Sequence, residues 1–148
     1  MLATYWPHLL AIAVGAGLTV QIGMNATMGR TLGSPLWASV FNFCVGLVAL
    51  VACVLLAGVR ITPGSVPHVP AWAWLSGLFG AAYVASVTLL GPRLGAMALL
   101  ALVLAGQLAS ALLVDRFGVL GFPRVEVTPQ RLLGAALVVI GALLVVRR

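Results

Sequence analysis

The chain alternates between long apolar blocks and short breaks made of Gly, Pro and Arg. A helix needs about 20 apolar residues to cross a bilayer's hydrocarbon core. Five blocks reach or approach that length, over roughly residues 7–29, 35–59, 71–90, 95–114 and 130–146, the last being short. This pattern predicts an all-α polytopic membrane protein, with residues 1–148 forming a single transmembrane domain of five helices. The breaks carry helix punctuation. Gly33 can end the first helix, and Ser34 followed by Pro35 is a good N-cap and N1 pair for the second. Thr128–Pro129 repeats that device before the fifth, and "GPRLG" (91–95) predicts a tight turn between the third and fourth.

Polar residues interrupt the apolar blocks on particular faces. In the first span, Gly15, Thr19, Gly23 and Thr27 form one oblique stripe of small residues at four-residue spacing. Gly17, Gln21, Asn25 and Gly29 form a second, about 200° round the helix. The small stripe suits close approach of another helix, and the amide stripe requires protein or a polar cavity, because bare amides in hydrocarbon cost several kcal/mol. Packing and substrate contact both satisfy that requirement. The other spans add Ser39, Asn42 and Gly46; Ser76, Gly80, Tyr83 and Ser86; and Gln107 with Ser110. Four of the five spans can therefore turn a polar face to a shared interior. The fifth has no polar side chain after Arg131, and Gly134 and Gly141 mark it as a packing or dimerisation helix. Isolated Ser and Thr residues are read as bonding to their own backbone. Trp6, Trp37, Trp72 and Trp74, near span ends, are read as interfacial belt residues.

Composition agrees with the pattern. Of 148 residues, 63% are hydrophobic and 7% charged, with a mean hydropathy of +1.20, whereas a soluble domain carries about 25% charged residues. The N-terminal stretch has no basic n-region and too long an apolar run for a signal sequence, so it is expected to stay as the first span. Cys44 and Cys53 lie nine residues apart in one span, about 13.5 Å along a helix, which excludes a disulfide between them.

Charge changes the picture in one respect. The net charge of +6 comes from eight Arg against Asp115 and Glu126. The arginines stand singly between apolar blocks, as membrane-end anchors do, so nucleic acid is not an expected partner. With five spans, Arg60, Arg116, Arg124 and Arg131 fall on one side, and Arg30, Arg93, Arg147 and Arg148 on the other. Orientation normally follows an excess of Lys and Arg in cytoplasmic loops. Four against four predicts insertion both ways round and an antiparallel homodimer.

The chemistry of catalysis is missing from the sequence. It has no nucleophile–base pair, no His/Cys metal cluster and no phosphate loop, so no enzyme activity, metal or cofactor is expected. His8 and His68 are read as solvated or interfacial. Asp115 ends the fourth span, where the helix dipole disfavours a carboxylate. It is expected to pair with Arg116 or another loop arginine, with a coupling role as the alternative.

The blocks "QIGMNATMGRTLGSPLWASVFNFCVG", "VPAWAWLSGLFGAAYVASVTLLGPRLGA", "LAGQLASALLVDRFGVLG" and "RLLGAALVVIGALLVV" together resemble the YdcZ-like family. This is a five-helix, half-length branch of the drug/metabolite transporter superfamily of inner-membrane exporters. The resemblance covers essentially the whole chain, with matches at Gln21, Asn25, Gly33, Ser34, Pro35, Phe43, Gly46, Pro92, Arg93, Gly106, Gln107, Asp115 and Gly118. It implies a bacterial inner-membrane location and function as antiparallel pairs. Asn42 departs from the pattern, which more often has a small residue there. Related small multidrug transporters use a glutamate in the first helix for proton exchange. This chain has only Gln21 and Asn25 there, which argues against proton-coupled export of organic cations.

The resulting expectation is a small-molecule exporter working by alternating access in a dual-topology homodimer. Gln21, Asn25 and Gln107 would line its central cavity, with Asn42 and Tyr83 as secondary contacts. Gly15, Gly23, Gly134 and Gly141 would serve helix packing and dimerisation. A dual-topology ion channel and a non-transporting helper subunit are the rival readings.

Overall fold

The computed structural model describes residues 2–147, with side chains from Tyr5 onward except that of Pro63. Arg148, counted in the charge balance above, lies outside the described residues. The described chain contains five α-helices: α1 (Leu2–Thr31), α2 (Pro35–Leu56), α3 (Ser76–Leu94), α4 (Ala96–Phe117) and α5 (Pro129–Val146). Two 3-10 segments, Pro63–His68 and Ala71–Leu75, fill the link between α2 and α3. All five α-helices are long and apolar enough to cross a membrane, α3 together with the 3-10 turn before it. Their exposed surfaces are apolar, as at Ile12, Val48 and Phe79, each 70% exposed or more. Such surfaces suit contact with lipid, where helices alone satisfy their own backbone.

The helix ends follow from local chemistry. Ser34 caps α2 by accepting a hydrogen bond from the Trp37 amide, and Pro35 occupies the first turn. Thr128 caps α5 through the Arg131 amide in the same way, with Pro129 in the first turn. Gly33, at φ +68°, turns the chain out of α1. The second span ends earlier than its apolar pattern, at Leu56. Gly58 has φ +64°, the Gly58 amide bonds the Leu55 carbonyl, and the Val59 amide reaches back to Val54. This is a Schellman end, and it stops the helix while the sequence is still apolar.

Several boundaries move outward, most of all the start of α1 and the end of α3. α1 begins ahead of Pro7, at Leu2, and holds that proline inside the helix. The predicted turn over 91–95 shrinks to Gly95 alone (φ +79°). α3 runs on through Pro92 to Leu94.

The chain forms two compact units, residues 1–93 and 94–148. In the first, α1 packs on α2 through small residues next to the turn. A Cβ added at Gly29 would lie 3.3 Å from the Pro35 Cα and 3.7 Å from the Ala38 Cβ, and Ala38 is fully buried. In the second, α4 packs on α5, and the intervening loop folds back on the α4 terminus. Gly118 ends α4 in the left-handed conformation, and the Val125 amide bonds the Asp115 carbonyl. Thr88 in α3 is 1% exposed, and its hydroxyl is the buried side-chain polar atom without a partner among the described residues.

Candidate functional site

The amide stripe of α1 faces α2. Gln21 Nε2 donates to Asn42 Oδ1 at 2.9 Å, tying mid-α1 to mid-α2. Asn25, one turn along α1, is 4% exposed and makes no side-chain hydrogen bond among the described residues. Both α1 amides line a groove of about 800 Å³ within the first unit. Gly17, Val20, Met24 and Met28 of α1 join them, with Phe41, Asn42, Phe43, Gly46 and Leu50 of α2 and Val84 of α3. No ionisable side chain is among the lining residues.

A pocket of this size is in the usual range for a small-molecule ligand, and its construction is typical too: apolar walls with a few placed polar groups. Asn42 is the residue that accepts the Gln21 hydrogen bond. Gly17 and Gly46 leave the groove floor open, since a Cβ added at either meets nothing within 4 Å. Met24, Met28 and Val84 belong to this lining and carry no distinctive sequence signal. The two methionines could have been found by counting three and seven residues on from Gln21, which keeps to one helix face. Tyr83 is half-buried and stands outside the groove lining; its neighbour Val84 occupies that place. A one-residue step turns a helix by about 100°, which is enough to carry a ring away from the face.

Gln107 lies in the second unit, in a cleft of about 440 Å³ with Gly106, Ser110, Val114, Asp115 and Phe122. Asp115 pairs with Arg131 of α5, not Arg116, at 2.9 Å. Each of these two charges sits at the disfavoured end of its own helix dipole, and pairing offsets both penalties. The side chains remain 44% (Arg131) and 26% (Asp115) exposed.

The glycines of the small stripe of α1 make no close contact among the described residues. A Cβ added at Gly15 or Gly23 would meet nothing within 4 Å, and the same holds at Gly134 and Gly141 of α5. The close approach expected of Gly15 and Gly23 falls on Gly29, at the end of the amide stripe. Thr19 and Thr27 bond the carbonyls of Gly15 and Gly23. Ser39 and Ser110 do the same to Pro35 and Gly106. These hydroxyls are satisfied locally and are not groove contacts.

Five helices long and apolar enough to span a membrane, two of them lining a groove with neutral amides, define a small polytopic membrane protein. The chain belongs to the family described as "Putative inner membrane exporter, YdcZ", which matches residues 6–144. It is 33% identical over 139 residues to the inner membrane protein YdcZ of Escherichia coli (strain K12), an alignment covering 93% of this chain and 92% of that protein. No solved structure matches the chain. Family and helices together make this a multi-pass inner-membrane protein with a transport role of the exporter kind.

Proposed function

We propose that the chain exports a small molecule by alternating access, with the α1–α2 groove as the solute site. The observation that carries this reading is Asn25, a residue only 4% exposed whose amide lines the groove with no hydrogen-bond partner among the described residues, beside the Gln21–Asn42 hydrogen bond in otherwise apolar surroundings. An amide kept for packing bonds a neighbouring helix, as Gln21 does to Asn42. An amide kept for a solute is left free until the solute arrives.

The working unit in this proposal is an antiparallel homodimer in the bilayer. The even division of arginines supports it, as does the open glycine surface of α1 (Gly15, Gly23) and of α5 (Gly134, Gly141), which leaves room for a second copy. In that dimer Gln107 adds a further amide to the solute path. Alternating access would then exchange two equivalent, oppositely facing arrangements of one sequence.

The test is efflux from liposomes loaded with a small-molecule cell extract, read by mass spectrometry. The protein is expected to release at least one solute faster than protein-free vesicles do. Gln21→Leu and Asn25→Leu should each slow that release by about tenfold or more, as loss of a polar contact to a bound solute does. Stability should change little, since hydrogen bonds between membrane helices average about 0.6 kcal/mol. Normal release by both variants would show that the site lies elsewhere.

A further inference from the structure

The groove's chemistry narrows what it can carry. Its polar equipment consists of three carboxamides, Gln21, Asn25 and Asn42. Gln21 has spent one donor on Asn42, while the Asn25 amide, which offers an acceptor and two donors, lines the groove without a hydrogen-bond partner among the described residues. The titratable side chains described on the same helices are Tyr5, His8 and Arg30 on α1, Cys44 and Cys53 on α2, and Tyr83 and Arg93 on α3. None of them lines the groove, and Arg30 is engaged with Thr27.

An ion entering such a space leaves water without meeting a counter-charge, and that penalty is several kcal/mol per ion. A neutral group with one donor and one acceptor side by side meets no such penalty, and it can form two parallel hydrogen bonds with the Asn25 amide. Around that polar spot stand Met24, Met28, Phe41 and Phe43. Thioethers adapt to irregular shapes and contact aromatic rings favourably. Flat rings add large apolar faces.

From this we infer that the groove takes an uncharged solute with an apolar or aromatic body and one carboxamide- or hydroxyl-like polar edge, which pairs with Asn25. The inference rests on the groove being the solute site, and the experiment separates the two claims.

Purified full-length protein in nanodiscs is titrated with matched probes that differ only in the polar end. One set is indole-3-acetamide, indole-3-acetate and tryptamine; the other is the phenyl series with the same three ends. At neutral pH the amides are expected to bind at least about tenfold more tightly than the anion or the cation, given the cost of burying an unpaired charge. Acidification that protonates the carboxylates should raise the affinity of the acids and leave the amines weak. Asn25→Leu should abolish amide binding. Asn25→Asp, which places a carboxylate of the same shape in the groove, should shift the preference towards the amines.

Equal binding of an ionised probe, no binding in either series, or an unchanged preference in Asn25→Asp overturns the uncharged-solute inference. The site itself still stands in those cases if Gln21→Leu and Asn25→Leu slow efflux. Amide binding that persists unchanged in Asn25→Leu overturns the site and the inference together.

Discussion

Ser34–Pro35 and Thr128–Pro129 start α2 and α5 with the same cap, yet the helix pairs they belong to are joined by different chemistry. α1 and α2 follow one another across a three-residue turn and are tied at mid-span by a neutral amide bond, Gln21 to Asn42. α4 and α5 are separated by residues 118–128 and tied near their ends by an ion pair, Asp115 to Arg131. Depth explains the contrast. Unpaired charge in mid-bilayer is expensive, and amides are the strongest polar groups such a place tolerates cheaply. The Asp115–Arg131 pair stands at helix ends and is partly exposed, where an ion pair is tolerated and contributes little. The groove, with its free Asn25, is on the neutral side of this division.

The comparison can be broken most forcefully in the second pair's loop. Gly118 has φ +61°, and a Cβ there would lie 3.0 Å from the Arg124 backbone nitrogen. Gly118→Ala should therefore cost about 1–3 kcal/mol through backbone strain and crowding. It should appear as a lower melting temperature in detergent, with efflux per folded molecule retained. A negligible change would mean that the loop does not hold the α4–α5 pair.

The smaller test concerns the ion pair itself. Asp115→Asn removes the charge and keeps an oxygen for Arg131, so the stability loss should stay below about 1 kcal/mol, as for other exposed pairs. Efflux should be unchanged. Loss of efflux in a folded Asp115→Asn protein would assign the carboxylate a coupling role and put working charge in the second pair.

Much of the fold could be read from the sequence because lipid demands it. Five apolar runs, the Ser34 and Thr128 caps and the local bonding of Thr19, Thr27, Ser39 and Ser110 all follow from short-range rules. Gln21 and Asn25 were visible as candidates because amides are scarce in such runs. What escaped was rotational detail. A membrane helix is apolar on nearly every face, so periodicity does not say which stripe touches a neighbour. Gly23 and Gly29 look alike in the sequence, and only the α1–α2 turn brings Pro35 against the second. Tyr83 and Val84 exchange places for the same reason. Asp115 finds Arg131 because the 118–128 loop brings the start of α5 back to the end of α4, a long-range consequence that spacing does not encode. α3 outruns its expected terminus, continuing through Pro92 to Leu94.

The central claim is that the open space beside Asn25 is where the solute passes. Gly46 offers the most direct test, because it lines the groove and an added Cβ meets nothing. Gly46→Leu fills that space, and replacing a helical glycine should also raise helix stability by about 0.5–1 kcal/mol. Efflux and melting temperature measured on the same preparation should move in opposite directions: efflux lost, melting temperature unchanged or raised. Normal efflux with the groove filled would contradict the account.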